Sequence, residues 1–348
     1  MQHPAERPVL AVDLGGTQIR AALVTPDLVV HCRRATESRD EAGVDVVISR
    51  IVDITAAVRD DAVRRGLPAP IAIGIAAPGP LDPWRGIVLD PPNLLDWRNV
   101  PLADEVAAAL EMPTILERDT NVAVTAEWRY GAARGTRNAV YITVSTGIGG
   151  GVINEGRLLV GDHGGAGEVG HVGVEIDGPI CGCGGIGHVE AIASGTALAR
   201  DGRALLKSKG SEGLARLATT GIEVDAELVA RAASLGDNAC AALLERAWVA
   251  IGAMCASLVN LLDPEVIVIG GGIAEHSPRL FEVVRDELRR RALPTLRDRV
   301  RIEPASLGGD VSLIGSLPIV NERIGDPAYR REPQASRMAI TQQGAPHS

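Results

Sequence analysis

Two thiols and two imidazoles fall within one short glycine-rich stretch, spaced His171-x9-Cys181-x-Cys183-x4-His188. Thiolate sulfur and imidazole nitrogen suit tetrahedral Zn²⁺. Four protein ligands leave no open position, so such an ion is structural and ties down a loop too polar to pack by itself. Unpaired thiols with surface histidines are the plainer reading of the same residues. Glu168 and Glu190 flank the cluster. Held by a metal-fixed loop they could recognise sugar hydroxyls; otherwise they are solvated loop acids.

Two glycine clusters carry a second kind of chemistry. Asp13-Leu14-Gly15-Gly16-Thr17 puts a carboxylate at a strand end beside two residues without side chains. Backbone N–H groups and the Thr17 hydroxyl can then approach an anion while Asp13 faces a cation. A glycine turn in a plain hairpin is the competing reading. Thr146-Gly147-Ile148-Gly149-Gly150-Gly151 offers a second run of donors, and two such loops can hold a polyphosphate between them. Neither ends in Gly-Lys-Ser/Thr nor has dinucleotide-fingerprint spacing, which disfavours those folds. Asp119 falls where a strand ends and a helix begins, a position that projects into a cleft and equally suits a helix N-cap.

The elements that must position these residues follow from periodicity. Val9–Val12 reads as a buried strand that runs into the first glycine cluster and returns over Ile19–Val24. Val47, Ile48, Ile51, Ile54, Val58 and Val63 lie at helical spacing in 44–65, ahead of Gly66. A strand at Ile71–Ile75 stops at Pro78-Gly79-Pro80, 81–100 reads as loop, and a helix covers about 102–110. The strand Thr114–Leu116 delivers Asp119 to a helix over about 120–129. Ala139–Val144 feeds the second glycine cluster, so strand, glycine turn and returning strand recur. Residues 156–188 read as loop, 190–262 as largely helical, Val266–Ile269 as a strand into Gly270-Gly271-Gly272, and 278–292 as a charged helix. This alternation is α/β, with two similar lobes around a cleft. The chain divides at 1–118 and 119–307, the first lobe being completed by about 308–323, and the polar stretch 326–348 reads as a disordered tail.

Composition narrows the function classes. The 348 residues are enough for two domains. A net charge of −9 with only four Trp, three Tyr and one Phe argues against nucleic acid and against an anionic membrane. Five cysteines with one close pair, and no charged-then-apolar leader, point to a reduced cytoplasmic protein. The apolar stretch Ala247–Val259 is shorter than the ~20 residues of a membrane span and reads as a buried helix.

Taken in order, these motifs together with Ala77-Pro78-Gly79-Pro80, Asn121, Glu168-Val169-Gly170-His171, Ala193-Ser194-Gly195-Thr196 and Gly270–Ile273 resemble the ROK (repressor, open reading frame, kinase) family, over about residues 8–320. Within it the chain is most similar to the glucokinase-like sugar kinases. The resemblance implies a two-lobed actin-like ATPase (ribonuclease H-like) fold, transfer of the ATP γ-phosphoryl group to a hexose hydroxyl (the 6-OH of glucose first), ATP, Mg²⁺ and structural Zn²⁺, and a homodimer. It implies Asp119 as the base and Asp13, near Mg²⁺, with Gly15, Gly16, Thr17, Thr146, Gly147 and Gly149 on the phosphates. Gly195, Thr196, Gly271 and Gly272 would line the adenosine pocket. Gly79, Asn93, Glu168, His171 and Glu190 would bind the sugar, with His171 serving metal and sugar through its two ring nitrogens.

Two positions depart from the family pattern. Arg118 stands where the family has Asn before the base, which brings a different hexose, one bearing an anionic group, or pairing of Arg118 with Glu117 or Glu127 into play. His188 stands where Cys is common. An N-acetylhexosamine, mannose or fructose kinase, a polyphosphate donor and a catalytically silent sugar-binding regulator are the alternatives. A sugar-responsive repressor is disfavoured because only eight residues precede the first strand.

Overall fold

The computed structural model describes residues 6–38, 43–91, 94, 96–218 and 222–329. The first half of the chain runs β1 (Val9–Leu14), β2 (Gln18–Val24), β3 (Val30–Glu37), α1 (Val44–Arg64), β4 (Ile73–Ala77), the short hairpin β5 (Leu81–Asp82) and β6 (Ile87–Val88), α2 (Leu102–Leu110) and β7 (Thr114–Arg118). The second runs α3 (Asp119–Tyr130), β8 (Ala139–Val144), β9 (Ile148–Asn154), β10 (Arg157–Leu158), α4 (Glu190–Ala193), α5 (Gly195–Lys207), α6 (Glu212–Leu217), α7 (Ala226–Ser234), α8 (Asn238–Leu262), β11 (Val266–Gly270), α9 (Gly272–Glu275), α10 (Pro278–Arg291), α11 (Pro294–Arg297), β12 (Arg301–Pro304) and α12 (Val311–Arg323).

The strands form two five-stranded sheets, β3-β2-β1-β4-β7 and β10-β9-β8-β11-β12. Their strand directions match position by position: two antiparallel pairings from the first edge, then two parallel ones. The repeat seen in the sequence is therefore a repeat of topology. β1 and β11 are buried along nearly their whole length, which is why they read as continuous apolar runs. Around the first sheet, α1 buries Val47, Ile51, Ile54 and Val58 together with β1, β2 and α2, at the spacing of one helical face. α12 packs on the other face, on β1 and β4. We propose on this basis that the chain divides into a smaller lobe, 1–118 completed by about 308–323, and a larger lobe, 119–307.

α8 has the length and apolarity of a membrane span. Trp248, Ile251, Met254, Cys255 and Val259 are nonetheless buried with residues of β8, β11 and α10, so it is a core helix, as the sequence reading holds. The 81–100 loop contains the β5–β6 hairpin, and β3, β10 and β12 are strands that periodicity does not reveal. Beyond α12, Pro327–Tyr329 forms a 3₁₀ turn, and the Arg323 guanidinium sits 4.4 Å from the Tyr329 ring centroid. These residues of the expected tail are thus placed; 330–348 lie outside the described residues.

The chain passes from the first sheet to the second through α3 and returns before α12. At Gly315 of α12 a Cβ would lie 2.2 Å from the Val122 carbonyl of α3, so this close helix crossing admits only glycine. The fully buried Glu127 carboxylate of α3 accepts bonds from Ala132 N–H (2.7 Å), Ser306 N–H (2.8 Å), Ser306 Oγ (3.0 Å) and Leu307 N–H (3.0 Å). One side chain thereby ties the outgoing crossing to the returning one.

Candidate active site

Five of the parallel strands run at their carboxyl ends into the expected site residues: β1 carries Asp13 next to its last residue, β4 ends just before Gly79, β7 ends at Arg118 with Asp119 next, β8 ends before Ser145 and β11 before Gly271. Open α/β sheets place reacting groups at such carboxyl ends. Asp119 opens α3, and its Oδ1 accepts the N–H of Thr120 at 2.7 Å. Burial pushes its carboxyl up to about 6, and the Asp13 and Glu168 carboxylates push the same way against the opposing pull of Thr120 N–H and Arg118. A carboxylate poised there is suited to accepting a proton near neutral pH.

Arg118 is 3 % exposed. Its Nη1 donates to Glu168 Oε1 at 2.5 Å, and its Nη2 donates to Asn121 Oδ1 (3.1 Å), to the Gly150 carbonyl (3.2 Å) and to the Ala166 carbonyl. The anticipated pairing with Glu117 or Glu127 does not form, because both are already occupied. Glu117, 1 % exposed, pairs with Arg323 and accepts Arg118 N–H (2.7 Å) and Asn121 Nδ2 (3.0 Å), while Glu127 holds the crossing. Gly79 presses on the arginine stem, where a Cβ would lie 3.1 Å from Arg118 Cδ.

From Glu168 a chain of close groups runs to the second glycine turn. Glu168 Oε2 is 4.0 Å from His171 Nε2, and His171 Nδ1 is 3.9 Å from Cys181 Sγ. Cys181 Sγ is 3.7 Å from Glu190 Oε1, and Glu190 Oε2 accepts Ile148 N–H at 2.9 Å. Cys183 Sγ lies 3.3 Å from His188 Nδ1, and one ligand atom from each of His171, Cys181, Cys183 and His188 falls within 4.8 Å of the rest. Zn–S near 2.3 Å and Zn–N near 2.0 Å put tetrahedral ligands roughly 3.3–3.8 Å apart, so this donor set fits Zn²⁺ with little adjustment. His171 turns Nδ1 to the thiols and Nε2 to Glu168, the split between metal and cleft that two ring nitrogens allow.

The two glycine turns differ in what holds them. In the first, Ser38 takes the carbonyls of Gly16 (Oγ, 2.6 Å) and Thr17 (N–H, 3.0 Å), and Gly16 and Thr17 are exposed. Asp13 Oδ2 pairs with Arg20 Nε (3.0 Å) and Nη2 (2.5 Å). The second turn is held from the larger lobe: Gly195 N–H donates to the Ser145 carbonyl (2.8 Å), and Thr196 N–H (3.1 Å) and Oγ1 (3.2 Å) donate to the Thr146 carbonyl. Gly271, at φ +93°, puts its α-carbon where a Cβ would meet the Val144 carbonyl at 2.5 Å.

The expected site residues thus gather in three connected groups. Gly79, Arg118, Asp119, Glu168 and His171 form one; Asp13 with Gly15–Thr17 forms another; Thr146, Gly147, Glu190, Gly195, Thr196, Gly271 and Gly272 form the third. Gly149 stands apart from the turn: it lies within β9, where a Cβ would be 2.8 Å from Thr120 Cγ2, so its small size serves packing under α3. Asn93 lies outside the described residues. Arg20, Ser38 and Arg323 were not anticipated, nor was Glu117 as the partner of Arg323. The hairpin register pairs Asp13 with Arg20, so counting back from the glycine turn would have revealed that ion pair. Nothing local in sequence marks the other three.

A profile of the ROK family matches residues 9–323. A glucokinase of Thermotoga maritima is 36 % identical over 317 residues, covering 91 % of this chain and 98 % of that one. An N-acetylmannosamine kinase of Salmonella paratyphi A is 31 % identical over 88 % of this chain and 96 % of its own. Among solved structures, a ROK family glucokinase from Streptomyces griseus in complex with glucose and AMPPNP superposes with a TM-score of 0.77 at 30 % identity, over 90 % of this chain and 98 % of that one.

Proposed function

The chain belongs to the ROK family, has its two-lobed actin-like ATPase fold, and we propose that it is an ATP-dependent hexose kinase of the glucokinase type. Glucose is the first acceptor and its 6-hydroxyl the nucleophile. One observation carries this reading: a half-buried carboxylate with its pKa lifted to about 6, Asp119, lies within electrostatic reach of Asp13 at the first glycine turn and of Glu168 beside His171. The glucokinase relatives at 30–36 % identity over most of the chain support the same assignment.

In the mechanism that follows, Glu168, His171 and Glu190, with Gly79 and Asn93, hold the sugar so that one hydroxyl faces Asp119. Asp119 takes the hydroxyl proton as that oxygen bonds to the γ-phosphorus and the bond from phosphorus to the bridging oxygen of ADP breaks. Phosphoryl transfer asks mainly for alignment and charge stabilisation, so one base and two backbone cradles are a sufficient kit. Gly15–Thr17 and Thr146–Gly147 receive the phosphates, and Gly195, Thr196, Gly271 and Gly272 the nucleoside. Mg²⁺, when bound, supplies neutralisation of phosphate charge, and Asp13 is the residue placed to hold it. Zn²⁺ on His171, Cys181, Cys183 and His188 supplies rigidity to the loop that carries Glu168 and Glu190. We take the enzyme to be cytoplasmic and homodimeric through its helical C-terminal half.

A second acceptor is favoured by Arg118, which replaces the amide expected beside the base, and by the relative that is an N-acetylmannosamine kinase. ADP release from Mg²⁺-ATP over a panel of hexoses, amino sugars and N-acetyl sugars, with Asp119→Asn as the blank, tests the proposal. Turnover of glucose is the expected result. Turnover of another sugar alone moves the acceptor, and binding without turnover of any sugar overturns the kinase reading in favour of a silent regulator.

A further inference from the structure

Resting on that kinase reading, we propose that Arg118 is a positioning residue that assembles the sugar subsite before sugar arrives and thereby commits the enzyme to neutral sugars. Arg118 ends a strand of the first sheet, yet its four side-chain acceptors come from elsewhere: Asn121 on α3, Gly150 on β9 of the second sheet, and Ala166 and Glu168 in the connection after β10. Only a planar fork with several donors can serve them together. An asparagine here is too short to reach across, and a lysine offers one nitrogen.

The segment it holds is glycine-rich and partly exposed. Gly161, Gly164 and Gly167 all have positive φ (+75°, +76° and +87°), and the Glu168 side chain is 40 % exposed. Without the guanidinium, Glu168 is free to turn into water, and ordering it would be charged against sugar binding. With it, Oε1 is fixed and Oε2 is left beside His171 Nε2 to meet a sugar hydroxyl.

Charge sets the acceptor class. Among the described residues, the two guanidinium groups bonded to site residues are each already paired, Arg20 with Asp13 and Arg118 with Glu168. Asp119 and Glu190 add negative charge. A carboxylate or phosphate on the sugar would enter this field with neither guanidinium free to receive it, whereas a neutral hexose meets acceptors suited to its hydroxyls. This reverses the anionic-sugar expectation that an arginine in this position raises from sequence.

The test combines hydrogen–deuterium exchange over residues 160–171 with ADP-release kinetics, on the wild type, Arg118→Asn and Arg118→Lys. Glucose is compared with glucose 1-phosphate and N-acetylmuramate, which keep a 6-hydroxyl and carry an anion. We expect Arg118→Asn to exchange faster in that segment without sugar and to recover protection with glucose. Its KM for glucose rises about tenfold to a hundredfold while kcat stays within about threefold, and Arg118→Lys falls between. Wild-type kcat/KM is at least about a hundredfold lower for both anionic sugars. Unchanged exchange and KM in a folded Arg118→Asn protein, or preference of the wild type for an anionic sugar, overturns the inference and leaves the kinase reading intact. Absence of turnover on every sugar defeats the kinase reading instead, and the exchange comparison then still decides whether Arg118 positions Glu168. If Arg118→Asn does not fold, Arg118→Lys carries the same measurements.

Discussion

The two glycine turns sit at equivalent places in two sheets of identical strand order, and they are built for different work. The β1–β2 turn brings a carboxylate of its own, Asp13, and is braced by one serine from the adjoining segment. The β8–β9 turn carries no acid; it borrows Glu190 at Ile148 N–H and rests on the start of α5 and on Gly271. The first is a charge-handling wall and the second a shape-fitting one. On the proposed function, the repeated backbone would set where the phosphates sit, and the neighbours of each copy would decide what happens to them. Damage to the first wall should appear in kcat and damage to the second in KM for ATP or in stability.

The largest effect belongs to the base that faces the charge-handling wall. Asp119→Asn is expected to lower kcat by about 10²–10⁴-fold with sugar affinity within a few-fold, read by steady-state turnover beside calorimetric sugar binding. Because burial lifts the Asp119 carboxyl to about 6, kcat/KM of the wild type should fall about tenfold per unit below that pH as the base protonates, and level off above it. A profile flat through pH 5–7 would remove Asp119 from the role. Asp13→Asn comes next: kcat should drop about tenfold to a hundredfold with a raised Mg²⁺ requirement, measured by titrating the metal at saturating ATP. If KM for ATP moves instead of kcat, the contrast between the walls is wrong.

On the other wall, Cys181→Ser combined with Cys183→Ser should release about one zinc per chain and lower the melting temperature by several degrees, with a several-fold rise in KM for sugar. Elemental analysis with unchanged metal content would remove the zinc claim. Thr196→Val, which deletes the bond from Oγ1 to the Thr146 carbonyl, should have the smallest effect, a few-fold increase in KM for ATP at constant kcat. A fall in kcat there would show that the second turn also handles charge.

How far these features could be read in advance depended on whether their cause is local. The buried strands β1 and β11, the α1 face and both glycine turns were legible because burial on one or two faces writes itself into neighbouring residues. β3 and β12 were missed because they are edge strands: β3 reads Val-His-Cys-Arg-Arg-Ala-Thr-Glu, and β12 buries only Ile302, so neither shows alternation. The grouping of His171, Cys181, Cys183 and His188 was legible from spacing, and the structure brings all four side chains together. The partner of Arg118 was not, because the choice between Glu117, Glu127 and Glu168 depends on Arg323 and Ser306, far away in sequence, having already taken the first two.

The Glu127 carboxylate gives the molecule a pivot. It fastens α3 to Ser306 and Leu307 through N–H and O–H donors, and with the close passage of Gly315 against Val122 it keeps the place where the chain leaves one sheet beside the place where it comes back. A relative movement of the halves that kept these bonds would turn about this joint, as jaws do about a pin, and would change the gape at the glycine turns more than the distance at the joint.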